Sequence, residues 1–181
     1  MTQNTPHTQH SSKPKLNGNS AVVYYIIGLI VLILDQISKH HFEAVMDLGD
    51  TITLIDPVFN WTLAYNHGAA FSFLANQDGW QKWFFALLGL VVSGFIIAYL
   101  RKVPKSATLL SVGLAMVLGG AIGNVIDRVL YGYVIDFIHV HYADAWHYPI
   151  FNVADIGISI GMVLVVFDML FLEKKRSQTT I

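Results

Sequence analysis

The chain of 181 residues contains no cysteine. That absence removes disulfides, thiolate metal sites and a cysteine nucleophile, and it leaves the chain no lipidatable thiol of its own. Charge is also scarce: Asp, Glu, Lys and Arg make up 13% of the residues, against roughly 25% in an ordinary soluble domain. A formal net charge of -1, with no basic patch beyond short clusters, speaks against nucleic acid as a partner. What replaces charge is apolar surface. Hydrophobic residues are 54% of the chain and the mean hydropathy is +0.52, the composition of a membrane protein.

Four stretches are long enough to cross a hydrocarbon core of about 30 Å. They are residues 21–34 running into Asp35, 83–100, 107–126 and 156–172, with Asp168 the one charge inside the last. Residues 1–19, rich in Ser, Thr, Asn, Gln, His and Lys, are expected to form a disordered tail. Residues 20–173 then form a four-helix membrane domain, and residues 174–181 a second short tail. No A-x-A cleavage pattern follows the first apolar segment, so it is expected to stay as an anchor. Eight of the eleven Lys and Arg residues flank one side: Lys13, Lys15, Arg101, Lys102, Lys105, Lys174, Lys175 and Arg176. The positive-inside rule makes that side cytoplasmic and puts both termini on it. Lys39, Lys82 and Arg128 fall on the outer side.

Two outer loops, residues 42–79 and 129–152, differ in pattern from the short turn RKVPKS. TITLIDPVFNWTLAYN and VLYGYVIDFIHVHY read as short strands, so a small outer sheet formed by both loops is expected to lie on the membrane surface. NHGAAFSFLANQDG reads as a glycine-containing loop with a turn of amphipathic helix, a candidate lid. Trp61, Trp80, Trp83 and Trp146 suggest an interfacial aromatic belt.

On this topology the costly polar groups meet at one depth. Asp35 ends span one; Asn124, Asp127 and Arg128 end span three; Asn152 and Asp155 open span four, with Asn152 placed as a helix N-cap. Gly119 and Gly123 on span three, and Gly157 and Gly161 on span four, are G-x-x-x-G pairs that predict close approach of those two helices. Asp127 reads as the ion-pair partner of Arg128, and Asp168 as an interfacial residue near Lys174.

Asp136 in GYVIDF and Asp155 in FNVAD are the prime candidates for chemistry, because an ionisable carboxyl at a membrane boundary is costly without a role. Two facing carboxyls cannot both ionise readily, so one activates water while the other donates a proton. Three other readings compete. A metal could be drawn from Asp136, His139, His141 and His147, but a strand separates Asp136 from the two nearest histidines. Ser38 and Lys39 point roughly 100° apart on a helix, which is wrong for a Ser–Lys dyad. A small ion- or proton-translocating protein needs polar groups through the membrane depth, and spans two and three have almost none below Asn124.

LDQISK at 34–39, NHGAAFSFL at 66–74, GNVIDRVLYGYVIDF at 123–137 and FNVADIGIS at 151–159 together resemble the motif set of the bacterial lipoprotein signal peptidases, signal peptidase II. The resemblance implies a four-helix aspartic endopeptidase of the bacterial inner membrane. It implies removal of the signal peptide from diacylglyceryl-modified prolipoproteins, just before the lipidated cysteine and near the periplasmic face. The catalytic residues it implies are Asp136 and Asp155, supported by Asp35, Asn66, Gly68, Asn124, Arg128 and Asn152. No metal or other cofactor is expected. The expected partners are the prolipoprotein, membrane lipid and the inhibitor globomycin, with the chain acting as a monomer.

Overall fold

The computed structural model describes residues 14–68 and 80–179. The apolar stretches form α1 (Val22–Val45), α2 (Trp80–Leu100), α3 (Thr108–Leu130) and α4 (Val153–Phe167). A π-helical turn, Asp168–Leu172, carries α4 into a polar α5, Glu173–Thr179. Four helical segments result that are long and apolar enough to cross a membrane. Large apolar side chains such as Ile37, Val91, Phe95 and Val163 remain exposed on their outer faces, as lipid-facing residues must. α1 continues past Asp35 to Val45, so Lys39 lies well inside it.

Buried fractions show which helix is central: 56% of the α3 span is enclosed, against 17%, 22% and 17% for the other three. Glycines allow this: α3 and α4 approach closely and Gly161 faces α3 as the spacing suggests, whereas Gly119 and Gly123 turn to α1. Gly119 meets the Gly28 carbonyl of α1, and Gly123 meets the Asp35 carboxyl, so that pair serves α1 more than α4. The approach to α4 is made by Gly120 against the Ala154 carbonyl, and by Gly113 and Gly161 against each other's carbonyls. Every one of these contacts is with backbone or a buried charge, which cannot yield to an added methyl.

The outer connections fold into one antiparallel sheet, in the order β1 (Thr51–Ile55), β2 (Phe59–Asn66), β3 (Val134–Tyr142), β4 (Trp146–His147). The pairing sets Ala64 opposite Asp136 and Asn66 opposite Val134. Met46, Leu63 and Ile135 form the core beneath it. Phe42 at the end of α1 stacks on Phe137 at 4.3 Å and tilts against Trp61 at 4.8 Å. Trp61 therefore belongs to the helix–sheet contact and not to the belt; Trp80, Trp83 and Trp146 are exposed.

Two further expectations change. Residues 14–19, assigned to the tail, are held in place: Asn17 donates its side-chain amide to Leu100 O and Ser111 Oγ, both at 3.1 Å, and Lys105 N donates to Lys15 O at 2.8 Å. The end of α2 leaves carbonyls without intrahelical donors, and this segment supplies them. Asp168 is fully buried and takes a bidentate pair from Arg176, at 2.7 and 2.6 Å, so its partner is not Lys174. The amphipathic turn and the candidate lid, which extend over residues 69–79, lie outside the described residues.

Gly120→Val is expected to cost more than about 1–3 kcal/mol by overpacking the α3–α4 contact. Gly94→Ala, where a Cβ meets nothing within 4 Å, should be neutral. Thermal unfolding in detergent compares the two, and equal melting temperatures would refute the packing assignment.

Candidate active site

Where α3 and α4 meet the sheet, a cavity of about 860 Å³ opens. Asp136 from β3 and Asp155 from the first turn of α4 border it, with Asn66, Gly68, Asn124 and Arg128 around them. Six of the eight residues singled out from the sequence therefore share one wall, and Asn152 and Asp35 lie directly behind it. Asn152 caps α4: its Oδ1 accepts from Asp155 N at 2.9 Å while the Asp155 carboxyl accepts from Asn152 N at 3.4 Å. This reciprocal arrangement fixes the Asp155 side chain at the helix N-terminus, where the backbone amides favour negative charge.

The two carboxyls differ in surroundings. Asp136 is 2% exposed, whereas Asp155 is half-buried and faces the cavity. Asp136 Oδ1 accepts from Asn152 Nδ2 at 2.6 Å and its Oδ2 from Asn66 Nδ2 at 3.1 Å. Burial first, and the nearby charge of Asp155 second, push the Asp136 carboxyl up to about 7, against the lowering effect of those two amides. Asp155 Oδ1 accepts from Asn124 Nδ2 at 2.8 Å. Arg128 spans the wall, donating to Asn124 O and Gly68 O, both at 3.3 Å, and lying 5.3 Å from the Phe85 ring centre.

Behind the wall is a cluster that reasoning from the sequence misassigned. Lys39 is fully buried and its ammonium meets Asp35 and Asp127, both at 2.8 Å, and Asn124 Oδ1 at 3.0 Å. Asp127 thus pairs with Lys39 and not with Arg128, because α3 turns it toward α1 while Arg128 faces the cavity. Gln36 Nε2 donates to Asp127 at 2.9 Å. Asp127 also accepts Ile135 N at 3.2 Å, and Asp35 accepts Ala154 N at 2.8 Å, so the cluster grips the strand of Asp136 and the helix of Asp155. The i,i+4 spacing of Asp35 and Lys39 in an apolar helix was the available signal. Ser38 Oγ instead donates to Asp35 O at 2.8 Å.

On the outer side, His139, His141 and His147 stack, with His139 Nε2 3.1 Å from His147 Nδ1. Burial and the two neighbouring rings lower the His139 value. Among the described residues no group of three His, Cys, Asp or Glu is arranged to hold a metal ion.

The family model described as signal peptidase (SPase) II matches residues 27–171, which includes every group above. The chain belongs to the signal peptidase II family. Among its relatives, the lipoprotein signal peptidase of Pseudomonas paraeruginosa is 44% identical over 165 residues, 91% of this chain and 97% of that protein. That of Pseudomonas syringae pv. tomato is 48% identical over 153 residues, 84% of this chain and 88% of its own length. Two solved structures, described as bacterial membrane enzymes obtained by the in meso method at 1.9 and 2.3 Å, superpose with a TM-score of 0.71. They are 28% and 29% identical, and they cover 89% and 88% of this chain and are themselves covered over 99% and 92%. A signal peptidase II of this architecture is a multi-pass bacterial membrane protein.

Because the folded protein binds the Asp136 proton more tightly than the unfolded chain, this residue's contribution to stability is full below its ordinary value of 3.8 and is lost as pH rises through about 7. Asp136→Asn should therefore raise the melting temperature relative to the parent more at pH 8 than at pH 5. A gain independent of pH would show that the buried carboxyl is not strained when ionised.

Proposed function

We propose that this signal peptidase II is an aspartic endopeptidase whose catalytic pair is Asp136 and Asp155. The signal peptidase II family removes signal peptides from prolipoproteins, and this chain shares that function. The observation that carries the catalytic type is the pairing of one deeply buried carboxyl and one half-buried, helix-capped carboxyl on the same cavity wall. Unequal surroundings separate acid from base in such pairs.

In this reading Asp155 is ionised and takes a proton from a water attacking the scissile carbonyl carbon. Asp136, protonated near neutrality, donates to the carbonyl oxygen as the tetrahedral diol forms. Collapse of the diol returns that proton to Asp136, while Asp155 passes its own to the leaving nitrogen, and the starting protonation is restored. Asn66 and Asn152 hold Asp136 in place, Asn124 holds Asp155, and Arg128 ties Gly68 to α3 at the rim. The proposed substrate is a diacylglyceryl-modified prolipoprotein cut before its lipidated cysteine. Ile150, Phe151 and Ile158 supply apolar lining beside the polar wall, which suits a peptide that carries lipid.

The proposed setting is the bacterial inner membrane, with both termini cytoplasmic and the sheet on the periplasmic side. The even number of spans and the gathering of basic residues at the end opposite the sheet support it. All the proposed groups come from one chain, which supports a working monomer, and globomycin is expected to occupy the same cavity. Ion translocation is disfavoured because Asp35, Lys39 and Asp127 are spent on one another in a closed cluster.

Asp136→Asn and Asp155→Asn should each lower cleavage of a diacylglyceryl-modified prolipoprotein by about 10²–10⁴-fold in folded protein, the span of a lost general acid or base. Full activity in either variant removes that residue from the reaction. Cleavage by the parent should decline as pH rises through about 7, where Asp136 gives up its proton; a rate still climbing at pH 9 would contradict its role as the acid.

A further inference from the structure

Three asparagines place N–H donors on the two carboxyls, and each is oriented by a partner that has only protons to offer. Asn66 Oδ1 accepts from Gly68 N at 3.1 Å, which turns its amide nitrogen to Asp136. Asn152 Oδ1 accepts from Asp155 N, which likewise turns its nitrogen to Asp136. For Asn124 the corresponding partner is the ammonium of Lys39, at 3.0 Å. An ammonium has three protons and no lone pair, so only the amide oxygen can face it. The nitrogen is then left toward Asp155 Oδ1 at 2.8 Å. With the amide reversed, an oxygen would meet the Asp155 carboxylate and an N–H would meet the ammonium, unfavourable on both sides.

We infer that Lys39 is a positioning residue for the cleavage reaction: through Asn124 it keeps an N–H donor on Asp155 and so holds that carboxyl in place against the cavity. This rests on the proposed roles of Asp136 and Asp155. The rival explanation is that Lys39 only neutralises Asp35 and Asp127. Two of its protons do that, and the third goes to an amide that needs no neutralising. Asn152 Nδ2 gives one proton to Asp136, at 2.6 Å, and shares the other between Ile135 O and Asn124 Oδ1, both at 3.3 Å, so at Asn124 it is a longer and uncharged donor beside the Lys39 ammonium at 3.0 Å. Arg128 binds the Asn124 backbone oxygen and leaves the amide free to turn.

The charged and titratable groups around the pair come from every neighbouring element. Asp35 on α1 and Asp127 on α3 face Lys39; Arg128 on α3 and Asp136 on β3 face Asp155; His67, His139 and His147 line the same cavity. None of these is hydrogen-bonded to the Asn124 side chain, so among these charged groups Lys39 is the one that orients its oxygen.

The test compares Lys39→Met, Lys39→Arg and the charge-balanced Lys39→Met/Asp127→Asn, each checked for folding, using kcat and KM for cleavage of a diacylglyceryl-modified prolipoprotein. Losing an oriented hydrogen bond to a charged group predicts a kcat about tenfold to a hundredfold lower in both Met-containing proteins, with KM little changed. Lys39→Arg should recover most of that loss. A parental kcat in either folded Met-containing protein would overturn the inference, as would a loss confined to KM. If Asp155→Asn is inactive while these variants are parental, the catalytic pair stands and only the role of Lys39 falls.

Should neither Met-containing protein fold, two milder variants still decide. The Asn124 side-chain amide protons, assigned by their absence in Asn124→Ser, should shift in nuclear magnetic resonance spectra of both Lys39→Arg and Asp155→Asn, because the amide bridges the two residues. An amide signal unmoved in either variant overturns the inference.

Discussion

A buried ammonium between two buried carboxylates, Asp35–Lys39–Asp127, is the constraint on which the rest of this structure depends. An unpaired charge at that depth would cost several kcal/mol. The three side chains must therefore meet, and they come from α1 and α3. Beyond Gln36 Nε2, their remaining acceptor capacity goes to two backbone amides, Ile135 N at the start of β3 and Ala154 N at the start of α4. One electrostatic requirement thus fixes four elements relative to each other. Asp136 follows the first of those two amides in the chain, and Asp155 the second.

The glycines serve the same end by a different force. Gly119 and Gly123 let α1 come close enough for Asp35 to reach α3, and Gly113, Gly120 and Gly161 bring α4 against its other face. Lipid gives no hydrophobic reason for helices to associate, so close van der Waals contact and polar bonds must do so. Here they are arranged in layers. Backbone-to-backbone packing fills the depth of the membrane, and the polar cluster with its asparagines closes the end beneath the sheet. Phe42, Trp61 and Phe137 then seal the sheet to α1.

Much of this was legible from spacing. The apolar runs gave the four spans, the period-two pattern gave the strands, and Asn152 followed three residues later by Asp155 gave a helix cap that the structure contains in full. Six of the eight candidate site residues share a cavity wall because helix ends and strand ends fall at one depth, which follows from span length. Lys39 was counted with the outer-side cations and given no partner, because which residues it meets on α3 does not follow from its place in the helix. Asp127 was given to its neighbour Arg128 because adjacency in sequence was the only guide; consecutive helical residues point about 100° apart and serve different neighbours.

The sequence by itself determined the class, the number of spans, the small sheet and the residue types available at the outer helix ends, since these rest on local periodicity and on the cost of charge in lipid. Only the tertiary structure decided which charges pair, which glycine faces which helix, and which way each asparagine amide turns. Those outcomes depend on the rotation of each helix about its own axis, and that rotation is settled by neighbours distant in the chain.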